Sequence, residues 1–228
     1  MNLSNSTKSI LMLTTAALMS NAGAQSLEAD YPLLTDLADA TGNHGDMILQ
    51  GNPGPPAPPS TGMPLCTNGI YISLIDGQDI QTPILNNFTL DSFIFIVDFN
   101  ITELPDANDS PPRQPVIMGG WLSRFIGLYT DFAGTIGIKH NNSNYEWSST
   151  SVVEGQWYTG ELRYNDGQVD VFIDGQHVMT RTVGPLMDFQ GDHNVTITDF
   201  SEGNAFYGCI RDLMVIYDAD TIMTGNFE

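Results

Sequence analysis

The chain has 228 residues, of which 41% are hydrophobic and 15% are charged, a composition typical of a globular protein. Aspartate and glutamate number 27 against 7 lysines and arginines, so the formal net charge is −20. This balance argues against nucleic acid, anionic lipid surfaces and polyanionic polysaccharides as partners, because an acidic surface repels them.

The first 24 residues have the pattern of a secretory signal peptide. One cation, Lys8, precedes the apolar run 10–19, and small residues at 22–24 precede a predicted cleavage after Ala24. A short amphipathic N-terminal helix is the alternative. We therefore predict a secreted or periplasmic protein whose residues 25–228 form a single domain. No later run of 18 apolar residues occurs, so we predict no membrane span.

Beyond residue 25 the sequence predicts an all-β protein. Short apolar or alternating runs are separated by Gly, Pro, Asn and Asp, and no stretch of ten or more residues has a helical period with caps. The stretch 88–101 is apolar on both faces, which indicates a central strand. Asp-Gly pairs at 166–167 and 174–175 predict tight hairpin turns. The predicted strands and hairpins are 69–75, 88–101, 115–120, 125–130, 135–141, 145–149, 156–183, 194–200 and 206–219.

Two proline-rich segments, 50–64 and 102–115, are predicted to be surface loops, because proline cannot pair inside a sheet. Only two cysteines are present, Cys66 and Cys209. An oxidising compartment would allow them to pair, and two buried free thiols are the alternative.

Three stretches form a pattern when they are taken together. They are DATGNHGDM (39–47), GQWYTGELRYNDGQVDVFIDGQHV (155–178) and FYGCIRDLMVIYDA (206–219). In this order they resemble an early turn, the central hairpin and the last strand of laminin-G-like, concanavalin A-like jelly rolls, many of them bacterial. The resemblance implies an antiparallel β-sandwich of two sheets. It also implies that the last strand lies beside an early strand, so that a Cys66–Cys209 bridge would cross the sandwich.

The resemblance also implies candidate calcium ligands. An aspartate of the laminin-type rim site is replaced here by Arg124, so we expect that site to be lost. Bacterial relatives often hold a structural ion near the chain ends, and the residues in that place are Asp39, Asn43 and Asp212. Their oxygen atoms suit a structural Ca²⁺ ion. The alternative is an Asx-stabilised turn at Asp39 and Asn43, with Asp212 bonded to a backbone group.

Aromatic side chains on a sheet or its rim are candidates for carbohydrate contact. Trp157 occupies the family's Gly-x-Trp position and is predicted to lie in the core. The candidates are Trp121, Tyr145 and Trp147, which occur in polar surroundings. Ordinary partial burial of each ring is the alternative.

No catalytic centre is predicted. A glycosidase needs two carboxylates close together, and Asp170 and Asp174 are instead expected at a solvent-facing strand position and in a turn. The four histidines show no metal-ligand spacing and are predicted to be surface or turn residues.

We therefore predict a secreted, non-catalytic module that binds a glycan or an extracellular protein. A polysaccharide-degrading hydrolase or lyase on the same sandwich is one alternative, and a structural subunit of an extracellular assembly is another. Within residues 25–228, five Asn-x-Ser/Thr sequons begin at Asn87, Asn100, Asn108, Asn141 and Asn194. They would be glycan acceptors only in a eukaryotic secretory pathway.

Overall fold

A computed structural model of the chain describes residues 25–33, 37–51, 60–61, 69–73, 78–85, 91–107, 113–119, 126–141, 143–186, 194–197 and 206–218. These residues form fifteen β-strands, which confirms the predicted all-β fold. Within the described ranges, no helix has the length and apolar character needed to cross a membrane. The predicted signal peptide lies outside these ranges. Leu27–Tyr217 forms one compact unit.

Sheet A has eight strands. They are β1 (Gln25–Tyr31), β3 (Ser60–Thr61), β4 (Ile70–Ser73), β6 (Ser92–Ile101), β11 (Trp157–Asn165), β12 (Gln168–Ile173), β13 (Gln176–Thr182) and β15 (Tyr207–Asp218). Their order is β13-β12-β11-β6-β15-β4-β3, and β1 also pairs with β15. The last strand therefore lies beside the early strand β4, as the resemblance implied.

Sheet B has seven strands. They are β2 (Ile48–Gly51), β5 (Gln78–Gln81), β7 (Arg113–Gly119), β8 (Ile126–Asp131), β9 (Thr135–His140), β10 (Glu146–Ser151) and β14 (Val195–Ile197). Their order is β10-β9-β8-β7-β14-β5-β2, and every pairing for which a register is described, in either sheet, is antiparallel.

The two sheets bury one continuous apolar core. Strand β6 lies inside sheet A, as its apolar sequence predicted, and contributes every second side chain to this core. Burial of each such side chain stabilises the fold by about 1.5–3 kcal/mol. The inward side chains of β6 are Phe93, Phe95, Val97, Phe99 and Ile101, and sheet B contributes Ile126, Leu128, Ile136, Ile138, Val195 and Ile197.

The two predicted hairpin turns are confirmed. Asp166 and Gly167 have φ angles of 41° and 88°, and Asp174 and Gly175 have φ angles of 51° and 73°. Asp and Gly tolerate this left-handed region better than most residues, and such two-residue turns match the twist of antiparallel strands. They place β11, β12 and β13 side by side at one end of sheet A.

A β-bulge in β15 changes which residues face the core. The register shifts between Arg211 and Met214, and Asp212 has a φ angle of 52°. Before the bulge Ile210 belongs to the core, and after it Leu213 and Val215 do. One extra residue therefore lets a strand without strict alternation keep its apolar side chains between the sheets.

The bulge predicts a specific sensitivity at Asp212. Asp212→Val should lower the free energy of unfolding by about 1–2 kcal/mol, because a β-branched residue fits the left-handed conformation poorly. Urea unfolding measures the difference. Met214→Val, which introduces the same side chain two positions later in the strand, should have the smaller effect. Equal losses from both substitutions would show that backbone conformation at Asp212 is not the cause.

Candidate functional site

Two partly buried aromatic rings lie together at the outer edge of sheet B. The rings of Tyr145 and Trp147 are nearly parallel, with an interplanar angle of 12° and centroids 5.6 Å apart. Tyr145 also meets Tyr129 edge to face, at a centroid distance of 4.9 Å. We call Tyr145 and Trp147 the aromatic platform. The third candidate aromatic residue, Trp121, lies outside the described residues.

The strand register places the aromatic platform on the outward side of sheet B. Trp147 pairs with Gly137, and Gly137 pairs with Tyr129. Leu128 and Ile138, which flank these positions, belong to the core. Since side chains alternate along a strand, Tyr129 and Trp147 point away from the core.

Gly137 makes room for the Trp147 ring. A Cβ atom at Gly137 would lie 2.6 Å from Cζ3 of Trp147 and closer still to Cε3. The indole therefore lies directly against the backbone of β9, where any larger residue would displace it.

One cation accompanies the aromatic platform. Lys139 Nζ lies 5.1 Å from the centroid of the Tyr145 ring, a cation–π distance. Lys139 is the only lysine of the chain besides Lys8. Two aromatic rings with an ammonium group beside them offer a ligand both apolar faces and a hydrogen-bond donor.

The candidate calcium ligand Asp39 holds the loop 39–44 together through hydrogen bonds. Its carboxylate accepts hydrogen bonds from the amides of Asp30 and Thr41, each 3.0 Å long, and of His44, at 2.9 Å. The Thr41 hydroxyl donates as well, at 2.7 Å. Partial burial by itself would raise the pKa of Asp39, but these hydrogen bonds outweigh it and lower the pKa.

These hydrogen bonds are the ones that the Asx-turn alternative describes. An ion at Asp39 would compete with these donors for the carboxylate oxygens. Asn43 donates its side-chain amide to the Glu28 carbonyl at 3.1 Å, and the Asp212 amide donates to the Pro32 carbonyl at 3.0 Å. In the described part of the chain, no group of three or more His, Cys, Asp or Glu side chains is arranged to hold a metal ion.

A buried carboxylate–imidazole pair under the same loop was not predicted. His44 Nε2 lies 2.8 Å from Glu28 Oε1, and both side chains are 3% exposed. His44 lies in a bend, as the prediction of a surface or turn position allowed, but its side chain is buried. The prediction also holds for His177, which is exposed, whereas His193 lies outside the described residues. No local sequence pattern indicates this pair, because Glu28 and His44 are 16 positions apart.

The carboxylates considered for catalysis hold structural hydrogen bonds. Asp170 accepts from the Thr180 hydroxyl and the Gln168 amide. Burial would raise the pKa of Asp170, but these bonds and the contact with His177 lower it. Asp174 occupies a hairpin turn, and its carboxylate accepts the Thr159 amide at 2.8 Å. Both positions agree with the sequence prediction.

The prediction for Trp157 is wrong. Its register partner in β6 is Asn100, whose neighbours Phe99 and Ile101 face the core, so Trp157 points outward from sheet A. The Arg211 guanidinium lies 4.2 Å from the centroid of its ring. The Gly-x-Trp pattern predicted the strand correctly but not the side of the strand.

Cys209 is completely buried. Its register partner is also Asn100, so it lies on the outward side of β15, opposite to the core residue Ile210. The expected direction across the sandwich is therefore wrong for Cys209. Cys66 lies outside the described residues.

Two of the sequon asparagines are inaccessible in the folded chain. Asn100 is 1% exposed, and Asn194 is 9% exposed with its amide donated to Gln81 Oε1 at 2.7 Å. Neither side chain has room for a glycan. Asn141 is partly exposed, while Asn87 and Asn108 lie outside the described residues.

The lowered pKa of Asp39 predicts a specific acid sensitivity. A folded-state pKa below the ordinary value near 3.8 gives stability that is present above that value and lost as pH falls through the folded-state pKa. Asp39→Asn should therefore flatten the decline in the free energy of unfolding between about pH 5 and pH 2. Asp166→Asn, which makes the same charge change in a tolerant turn, is the control. Parallel curves for wild type and Asp39→Asn would contradict the assignment.

Comparison with known proteins places this fold. Domain 4 of AbnA, an extracellular arabinanase from Geobacillus stearothermophilus solved with arabinotriose, is 17% identical with a TM-score of 0.64, over 85% of this chain and 93% of that one. Trypanosoma rangeli sialidase is 15% identical with a TM-score of 0.63, over 93% of this chain. The binding domain of botulinum neurotoxin DC, solved with rat synaptotagmin II, is 14% identical with a TM-score of 0.58, over 83% of this chain.

This chain spans only 36% of the sialidase and 48% of the neurotoxin chain. At these identities the likeness concerns the fold alone. No curated protein sequence matches the chain. The family model described as the concanavalin A-like lectin/glucanases superfamily matches residues 103–221, more than half of the chain. The protein therefore belongs to the concanavalin A-like lectin/glucanase superfamily.

Proposed function

We propose that this protein is a secreted, non-catalytic module that binds a carbohydrate through Tyr145 and Trp147. The observation that carries the proposal is the stacking of these two partly exposed rings on the outward side of an edge strand. Aromatic faces suit the apolar side of a sugar ring, and Lys139 adds a donor for its hydroxyl groups.

The relatives in fold support binding as the general role. Domain 4 of the arabinanase was solved with a bound oligosaccharide, and the neurotoxin domain was solved with a protein. A non-catalytic role is supported by the hydrogen bonds of Asp170 and Asp174. The Asp170 carboxylate bonds side chains on the surface of sheet A, and the Asp174 carboxylate bonds a backbone amide at a hairpin turn. An enzymatic role and a protein partner are alternatives that the experiments below separate.

Export and a single disulfide are part of the proposal. The signal-peptide pattern at 1–24 supports secretion. An oxidising compartment would allow Cys209 to pair with Cys66, the other cysteine of the chain. A structural calcium ion at Asp39, Asn43 and Asp212 stays a prediction, and the binding proposed here does not depend on it.

The binding proposal is tested by electrophoretic retardation. Residues 25–228 are run through gels cast with linear arabinan, other neutral polysaccharides and acidic polysaccharides, with calcium and with chelator. We expect retardation by a neutral glycan. Trp147→Ala should weaken it about tenfold or more, the loss typical of a truncated aromatic anchor. Tyr145→Ala should have a smaller effect of the same sign.

Phe172→Ala is the matched control, because Phe172 is a partly buried, outward aromatic residue of sheet A, with Arg163 over its ring. Equal retardation of wild type and Trp147→Ala would show that the aromatic platform is not the binding site. Retardation in none of the gels would favour a protein partner or a structural role. Release of reducing sugars from any of the polysaccharides would favour the enzyme alternative.

The disulfide proposal predicts a mass. Intact-mass measurement of the exported protein should show two hydrogens fewer than the reduced chain, and alkylation before reduction should add nothing. The Cys209→Ser variant should lose up to about 4–5 kcal/mol of stability, since the bridge would close a long loop. Two alkylated thiols in the untreated protein would contradict the pairing.

A further inference from the structure

The edge strand that carries the aromatic platform is held from the opposite sheet. β10 lies at one edge of sheet B, and β13 lies at one edge of sheet A. Arg181 of β13 lies across the seam between these two edges. Its Nε atom is 2.9 Å from Glu146 Oε2, and its Nη2 atom donates to the carbonyl oxygen of Trp147 at 3.3 Å.

These two contacts of Arg181 with β10 fall within the aromatic platform's own segment. Glu146 stands between Tyr145 and Trp147, and its side chain points to the opposite side of β10. Its second carboxylate oxygen, Oε1, is 3.4 Å from His140 Nε2 of β9. A guanidinium group holds two acceptors in a fixed geometry, so Arg181 constrains both the side chain before Trp147 and the Trp147 peptide.

The strand needs such support because its own pairing is sparse. β10 pairs with β9 at Glu146 and Trp147, and the register is then irregular until Ser151. An edge strand has a sheet neighbour on one side only. The backbone at Trp147 is therefore held by a short ladder on one side and by Arg181 from the other sheet.

We propose that Arg181 is a positioning residue for the aromatic platform, so that an edge strand of sheet A sets the binding geometry of sheet B. The inference rests on the proposed function for its effect on glycan binding. Its effect on Trp147 is independent of any ligand. Arg181 acts on Trp147 from behind the ring, through the Trp147 backbone and Glu146, and it is no part of the proposed contact surface.

The test follows Trp147 directly. The chain has three tryptophans, so Trp121→Phe combined with Trp157→Phe leaves Trp147 as the only indole. In this background, Arg181→Ala should raise acrylamide quenching of Trp147 and change its near-ultraviolet circular dichroism. Arg181→Lys keeps the positive charge but not the planar guanidinium group that reaches two acceptors. It should give quenching and circular dichroism intermediate between those of the parent and Arg181→Ala. Glu146→Gln should resemble Arg181→Lys.

Arg163→Ala is the matched control. Arg163 also pairs with a glutamate, Glu161, and contacts an aromatic ring, but it lies on the outward side of sheet A. It should leave the Trp147 signals unchanged. In gels of the polysaccharide that retards the wild type most, Arg181→Ala should bind about two- to fivefold more weakly, the range of an exposed ion pair.

The outcomes separate the two proposals. Altered Trp147 signals in Arg181→Ala without glycan binding by the wild type would sustain the positioning role and remove the proposed function. Unchanged Trp147 signals in a folded Arg181→Ala variant would overturn the positioning role, whatever the glycan result. If Arg181→Ala does not fold, the comparison of Glu146→Gln with Arg163→Ala decides in the same way.

Discussion

Each strand of a two-sheet sandwich has only one side that can be buried between the sheets. In this protein the constraint is met most fully by β6, whose five inward side chains lie against sheet B. The alternate residues along each strand point outward, away from the core between the sheets. The aromatic platform occupies such outward positions, as does the Arg211 contact with Trp157. The chemistry of this molecule therefore depends on which side of each strand a residue occupies.

Much of the fold could be predicted because this constraint leaves a local pattern. The apolar run of β6 and the two Asp-Gly turns each depend on neighbours within a few residues. The strands that escaped prediction are β1, β2, β3 and β5. Three of these have four residues or fewer. In β1 the buried residues Ala29 and Tyr31 alternate with two carboxylates, Glu28 and Asp30, and Glu28 is buried as well. The alternation of apolar and charged residues in β1 does not reveal that His44 contacts the Glu28 carboxylate.

The site was predictable to a smaller degree. Tyr145 and Trp147 could be selected because aromatic residues in polar surroundings stand out in a sequence. Arg181 could not, since it is 34 positions from Trp147 and belongs to the other sheet. Trp157 was assigned to the wrong side of its strand. The Gly-x-Trp motif indicates where a strand begins, but it does not determine which side of the sheet the tryptophan side chain occupies. Asp39 could be selected but not assigned a role. The same residue types occur where a carboxylate accepts the hydrogen bonds of a turn and where it binds an ion.

The buried sequon at Asn100 bears on the choice of an expression host. In a eukaryotic secretory pathway, oligosaccharide is transferred to Asn-x-Thr while the chain is still extended, before burial can protect the amide. A sugar fixed at Asn100 would then occupy the middle of sheet A, between β11 and β15, where the folded side chain is 1% exposed. Glycosylated chains could not close this sheet. Material made in yeast or insect cells would therefore divide into an unmodified folded fraction and a modified misfolded one, a division that a bacterial host avoids.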